Sequence, residues 1–409
     1  MARILVLGAG FAGLWAAVAA ARKLDEIGTF PGEIEILLVD RNPYHNILVR
    51  NYEIDLSEVV IPLGDVLDPI GVMHMTAEVQ SVDLVKQEVA VATPRGQEFL
   101  AYDRLVMALG SELRRPQLSG LEANTFDVDT YAAAVRLNTH IATLGTRPAS
   151  PGRSTVVVVG AGFTGIEVAT EMPVKLTRAL ASGDYRVILV DPNPDVGATI
   201  GNHARPVICE ALSALNIETR LGNKVTAVDA MGIVLSSGET IPAQTVVWCA
   251  GMHPSPLAAT LPGARDRSGR LLVDQFMRVA DLTNVFAAGD LASYLVDSVN
   301  PTVMSCQFAR PMGRFAGHNV VADLLARPML PLRIDWYVTV LDLGTWGALY
   351  TVGWDRQVFS IGDDAKVVKQ TINRKRIYPP QTGMRDEILA AAAPIVQPPP
   401  QYPRMRRAD

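Results

Sequence analysis

Cysteine is scarce: three in 409 residues, Cys209, Cys249 and Cys306, odd in number and far apart. No disulfide framework and no C-x-x-C zinc or redox pair can be drawn from them, which points to a reducing compartment. Basic charge is not in excess either. Lys and Arg number 37 against 42 Asp and Glu, a net charge of −5, so there is no global positive field for a nucleic acid. Charged residues are only 19% and aromatics 6%, whereas 49% of residues are apolar. That composition builds a sizeable core and excludes a disordered chain. His203 and His318 each stand without a second His or Cys at ligand spacing, so no metal is expected.

Long hydrophobic runs are also few. Residues 4–21, ILVLGAGFAGLWAAVAAA, form the one stretch that invites reading as a signal peptide or membrane span. Three glycines at fixed spacing interrupt it, and only Met1-Ala2-Arg3 precedes it. A strand running into a buried helix accounts for it better, and no other stretch is apolar enough to span a bilayer.

What is present is a repeat. Arg3–Gly8 reads as a strand entering Gly8-x-Gly10-x-x-Gly13 and an alanine-rich helix; Thr155–Gly160 enters Gly160-x-Gly162-x-x-Gly165 and a helix 152 residues later. Each unit continues to a second apolar strand closing on an acid, Ile36–Asp40 and Val187–Asp191. A weaker echo links Leu105–Gly110 with Val246–Gly251. One glycine triplet is weak evidence, but two in the same strand–turn–helix–strand–acid frame predict a pair of dinucleotide sites in an α/β fold. The first glycine makes the turn, the second admits a pyrophosphate, the third lets helix and strand pack, and the helix N-terminus offers free N–H groups. The acids Asp40 and Asp191 are expected to accept ribose hydroxyls. No Arg or Lys follows Asp191 in Pro192–Asp195, so NADH is favoured over NADPH at the second site.

GAGFAGL near the start, VVVVGAGFTGIEVATE in the middle and NVFAAGD at 284–290 together resemble the two-dinucleotide-binding flavoproteins. Gly165–Glu171, Ser305–Ala309 and Asn373–Pro380 make the chain similar, within that superfamily, to the type II NADH dehydrogenases (NADH:quinone oxidoreductases). The resemblance implies two Rossmann-like domains: an FAD domain from residues 1–115 and 252–325, an inserted NADH domain at 116–251, and a C-terminal region at 326–409. It implies non-covalent FAD held by Gly8, Gly10, Phe11, Ala12, Gly13, Asp40, Arg41, Val79, Ala108, Gly110, Gly289 and Asp290, the last on the ribityl chain. NADH, as co-substrate, would lie on Gly160, Gly162, Phe163, Thr164, Gly165, Asp191 and Gly251. Glu167 and Gln307 are the implied catalytic residues beside the flavin. Glu167 also reads as a plain helix-start acid favoured by the helix dipole, and His45 as either a ring contact or a turn histidine.

The resemblance has limits that bear on chemistry. The helix Gly13–Arg22 carries no reactive cysteine pair, which excludes disulfide-reductase chemistry, and Cys306 alone cannot hold a polysulfide relay; Cys249 reads as a core residue. Gln307 is present, but Arg310, Pro311 and Met312 stand where family members carry a second glutamine, and Pro311 is expected to open a helix Met312–Leu325. The tail places two Trp-containing apolar stretches, Trp336–Leu343 and Trp346–Trp354, before basic residues Lys366, Lys369, Arg374, Lys375 and Arg376. These read either as a lipid-facing group or as a solvated face beside a buried hairpin. A helix Arg385–Ala393 and a proline-rich end, Ile395–Pro403, follow. The expected protein is cytoplasmic or peripheral on the inner face of the membrane, monomeric or a homodimer, with a quinone-like acceptor. A soluble reductase of another acceptor and a flavin-bound redox sensor are the alternatives.

Overall fold

The computed structural model describes residues 1–28, 32–180, 183–297 and 299–400. Parts of the loop around Gly28–Gly32, of the stretch after the second glycine-turn helix and of the proline-rich end therefore lie outside the described residues.

Two parallel sheets organise the chain. The first runs Val285–Ala287, Arg104–Met107, Ala2–Leu7, Ile34–Asp40 and Met73–Thr76 in spatial order. The second runs Ile217–Leu221, Arg186–Asp191, Thr155–Val159 and Thr245–Trp248. Both central strands are unbroken apolar runs, because a sheet covered on both faces has no polar side: Ile4–Leu7 and Val156–Val158 are fully buried. Helix α1 (Phe11–Glu26) and helix α2 (Phe163–Ala179) follow the two central strands directly. A short antiparallel pairing of Ser111–Leu113 with Met252–Pro254 marks where the chain leaves the first sheet and returns towards it.

Helix α3 (Cys306–Leu324) packs along α1. Gly313 and Gly317 lie so close to Ala12 and Ala16 that a Cβ at either would collide with a carbonyl oxygen of α1. The helix begins six residues before the Met312 expected from the sequence, so Pro311 lies inside it. A proline here has no N–H for the Gln307 carbonyl, a loss that α3 absorbs near its N-terminus because eight of the residues after Pro311 continue to be fully packed against neighbours, Met312 to Asn319.

The C-terminal segment is an antiparallel sheet, Val338–Asp342, Ala348–Val352 and Gln357–Ile361, followed by helix α4 (Gly362–Thr371) and a π turn at Ile372–Arg376. The two Trp-containing stretches thus form a hairpin. Leu341, Leu343 and Leu349 join the core around α2, while Leu332, Ile334, Tyr337 and Ile377 join the core around α1. This segment therefore spans both sheets. The last helix among the described residues is Arg385–Ala391, two residues shorter than expected. Among the described residues no helix is long and apolar enough to cross a membrane.

Candidate functional site

The two glycine turns are built alike, down to single hydrogen bonds. Gly8 and Gly160 adopt φ of +99° and +107°, and a Cβ on Gly13 or Gly165 would run into the carbonyl of Gly8 or Gly160. The acid closing each second strand reaches back to the turn: Ala9 N–H donates to Asp40 Oδ2 at 2.7 Å, and Ala161 N–H to Asp191 Oδ2 at 2.6 Å. Their other oxygens accept from Asn42 N–H at 2.7 Å and Asn193 N–H at 2.8 Å. Asp191 takes a third bond from the Asn193 side chain at 2.7 Å. A carboxylate has about four lone-pair sites, so each acid both props its glycine turn and keeps capacity for a hydroxyl, less at Asp191. Burial raises the Asp40 pKa, opposed by the Ala9 N–H.

Both turns open into one cavity of about 1070 Å³. Of the cofactor-binding and catalytic residues expected from the sequence, all line it except Gly13 and Gly165, which lie beneath the turns as packing glycines; His45 does not line it. Gly10 and Gly162 face open space where a Cβ would project, and neither α1 nor α2 has a side-chain cap, so their N-terminal N–H groups are available to an anionic ligand. Those are the features two dinucleotides need, and the residues present fit FAD and NADH. Asp290 lies within the short turn Gly289–Leu291 after Val285–Ala287 and accepts from Ser111 Oγ at 2.9 Å; burial raises its pKa. Gln307 sits in the first turn of α3, its Nε2 buried without a protein partner. Beside it, burial pushes the Cys306 thiol up, which keeps it protonated and a poor nucleophile.

Glu167 is the fifth residue of α2 and is buried. Its Oε1 accepts from Lys369 Nζ at 2.7 Å and from Asp342 N–H at 3.1 Å. Burial raises the Glu167 pKa against the pull of Lys369. Burial alone would lower Lys369, but the Glu167 carboxylate outweighs it and the ammonium is held above its usual range. Asp342 in turn accepts from Tyr52 Oη at 3.1 Å and pairs with Lys366. Glu167, Tyr52 and Lys369 all line the cavity.

Two expectations are corrected here. Lys366 and Lys369 are not part of a lipid-facing or solvated group; they neutralise Asp342 and Glu167, and only Arg374 and Lys375 of the basic group are exposed. Arg205 lies 3.3 Å from Asp195, and neither lines the cavity. His45 is a buried strand residue whose Nδ1 lies 2.7 Å from the Ala9 carbonyl and whose ring meets Phe11 edge-on, so it braces the first glycine turn. Tyr52, Asp342 and Lys369 were not singled out from the sequence as site residues. The local hint was small: Lys366 and Lys369 are one turn apart and share a helix face.

The family model for pyridine nucleotide-disulphide oxidoreductases matches residues 2–313. An NADH dehydrogenase-like protein of Mycobacterium tuberculosis is 54% identical over 98% of this chain and 100% of its own length. A demethylphylloquinone reductase of Synechocystis is 30% identical over 85% of this chain and 86% of its own. NDH2 of Plasmodium falciparum, solved in complex with RYL-552, superposes with a TM-score of 0.79 at 13% identity, covering 96% of this chain and 97% of that one, a likeness of fold. The protein belongs to the pyridine nucleotide-disulphide oxidoreductase family.

Proposed function

We propose that the protein oxidises NADH and reduces a quinone through bound FAD: NADH, one proton and quinone become NAD⁺ and quinol. The observation that carries this reading is the pair of matching glycine turns facing one cavity that Gln307, its Nε2 unpartnered, also lines. The names of the Mycobacterium and Synechocystis relatives support the substrates. FAD, when bound, supplies the two-electron relay between NADH and acceptor.

The chain's own part is binding, orientation and proton handling. The Gly8–Gly13 turn and the start of α1 hold the flavin dinucleotide, with Asp40 on a ribose, Asp290 on the ribityl side, and Arg41, Val79, Ala108, Gly110 and Gly289 as walls. The Gly160–Gly165 turn holds NADH, with Asp191 on the adenosine ribose and Phe163, Thr164 and Gly251 around it. Glu167, charged and tied to Lys369, positions the nicotinamide end and offers a route by which a proton reaches the reduced acceptor. Gln307 donates a hydrogen bond from its free Nε2–H to an acceptor oxygen.

Peripheral membrane contact belongs to the same reading. The strand Gln357–Ile361 and the adjoining helix α4 expose Val358, Phe359, Ile361 and Val367, with exposed Arg374 and Lys375 nearby, a combination suited to an anionic bilayer surface. The homodimer expectation is read from the mass in solution. The test is a turnover screen of the yellow protein with NADH against menadione, ubiquinone-1, ferricyanide and oxygen, with and without liposomes. Steady quinone turnover is expected, and rapid flavin bleaching with no turnover on any acceptor would reject the reading in favour of a redox sensor.

A further inference from the structure

Among the described residues most buried cations have an acidic partner or a side-chain oxygen close to the charge, Lys175 bonding Asn138 Oδ1 at 2.7 Å. Arg50 pairs with Glu53, Arg270 with Asp266 and Lys369 with Glu167. Arg310 and Arg314, one turn apart on α3, are as deeply buried, at 7% and 2% exposed. Among the described residues neither forms an ion pair, and the Nε of each is buried without a partner. Both guanidinium groups lie over the ring of Trp15, at 5.2 and 4.3 Å from its centroid, and the indole Nε1 is likewise buried and unpartnered. The one side-chain bond of the pair is Arg310 Nη1 to Gln397 Oε1, at 3.3 Å. Arg376 adds a third positive charge close by, its own contact being the Pro398 carbonyl.

The physical reading is direct. Three donors with no acceptor, two of them charged, are costly to bury unless an anion completes them. Burial first, and then the neighbouring guanidinium, pulls Arg310 down to about 9; burial, then Arg376, pulls Arg314 to about 10. Both remain cationic at neutral pH. Arg310 and Arg314, one and two turns of α3 past Gln307, line the same cavity, as does Arg376 from the π turn, and the wall around them is mostly apolar, with Pro311, Ile377, Ile395 and Val396 beside Asn373 and Gln397. The two glycine turns already provide the N–H groups and helix ends that dinucleotide phosphates need. What this wall of the cavity offers is different: apolar side chains suited to a ring beside guanidinium groups that match a carboxylate or similar oxyanion.

We infer that the electron acceptor is an anionic quinone, an aromatic ring system carrying an ionised acid group, whose charge is bound by Arg310 and Arg314 with Arg376 beside them. This rests on the quinone-reductase reading above and specifies its substrate class. The redox balance is unchanged: the quinone takes two electrons from NADH by way of the flavin and two protons, one delivered with NADH and one from solvent, while the acid group keeps its charge throughout.

The test compares two acceptors sharing a ring system: menadione, which is uncharged, and naphthoquinone sulfonate, which carries a fixed negative charge. In the FAD-loaded enzyme, Arg310→Met and Arg314→Met should each lower kcat/KM for the sulfonate by about tenfold or more, as loss of a buried charge partner does. For menadione the change should stay under about threefold, with FAD per chain unchanged. Equal losses on both acceptors with FAD retained would make the arginines structural and overturn the inference. Equal losses with FAD released would assign them to the flavin phosphates and overturn it too. A measurement on the unaltered protein stands apart from turnover and from variant folding. Hydroxynaphthoate should raise the Tm of the FAD-loaded enzyme where uncharged naphthol does not. Equal shifts for the two, or none, would reject the anion site, whereas a selective shift without any quinone turnover would keep the site and reject the quinone-reductase reading.

Discussion

Lys369 Nζ donates to Glu167 Oε1 at 2.7 Å, joining helix α4 of the C-terminal segment to helix α2 beside the second glycine turn. Both side chains are about 10% exposed, so the pair is held largely out of water at the edge of the cavity. A carboxylate two residues past a glycine fingerprint thereby becomes part of a network that also includes Asp342, Tyr52 and Lys366.

Replacing one partner of that pair separates its roles. Glu167→Gln should keep FAD and the fold while lowering turnover by about 10²-fold or less, the low end of general acid–base effects. Stopped-flow absorbance assigns the loss: slow flavin bleaching implicates nicotinamide positioning, slow reoxidation implicates proton delivery. Lys369→Met leaves Glu167 buried without its cation and should cost about 3–5 kcal/mol of stability. The double variant should be less destabilised than the sum of the singles. Wild-type rates in both half-reactions of Glu167→Gln would reduce Glu167 to a structural acid.

The glycine pairs predict separable losses. Gly13→Ala drives a Cβ into the Gly8 carbonyl and should yield a protein with little flavin; Gly165→Ala does the same to the second turn and should retain flavin but raise the KM for NADH. Flavin content and NADH kinetics read the two outcomes independently. The chromophore released by heat from the unaltered protein should be FAD. FMN, or flavin loss from Gly165→Ala alone, would contradict the assignment of the two repeats.

Nucleotide choice follows from Asp191. Its carboxylate faces the cavity at the end of the second strand, where a 2′-phosphate would meet it, and the nearby Arg205 is engaged with Asp195. The kcat/KM for NADH should exceed that for NADPH by at least about tenfold, which is about 1.4 kcal/mol. Comparable values for the two nucleotides would show that Arg205 leaves Asp195 to receive the phosphate.

His45 gives a pH dependence with a definite sign. Burial lowers its pKa to about 4, below the ordinary 6.5 of an unfolded histidine. Between those values the unfolded chain binds a proton that the folded one refuses, so stability is full above pH 6.5 and falls as pH drops towards 4. The limiting loss is about 3 kcal/mol, taking 1.36 kcal/mol per pKa unit. Asp129 works the other way: burial raises it to about 6, so folding gains as the pH falls through that value. The difference between wild type and His45→Gln in urea unfolding isolates the histidine. It should shrink from pH 7 to pH 5, and a constant difference would show that His45 keeps an ordinary pKa.

Much of this molecule was legible in the linear chain because its information is local. A parallel strand covered on both faces is a continuous apolar run, a dinucleotide turn needs glycines at fixed spacing, and the acid closing the next strand falls at a fixed distance, so Gly8–Asp40 and Gly160–Asp191 could be paired by inspection. The residues lining the cavity from those turns followed. Tertiary structure decided the rest. Lys369 finds Glu167 across 202 positions only because α4 packs on the C-terminal antiparallel sheet, whose strand Val338–Asp342 lies against α2. The same docking turns two lysines of a basic stretch inward, which composition cannot distinguish from a solvated face. Pro311 lies within α3 because packing against α1 outweighs one missing hydrogen bond, and the two arginines beside it become an unpaired buried charge only where that helix crosses Trp15. Local rules specify turns and strands; which charge meets which, and which charge meets none, depends on how distant segments close over one another.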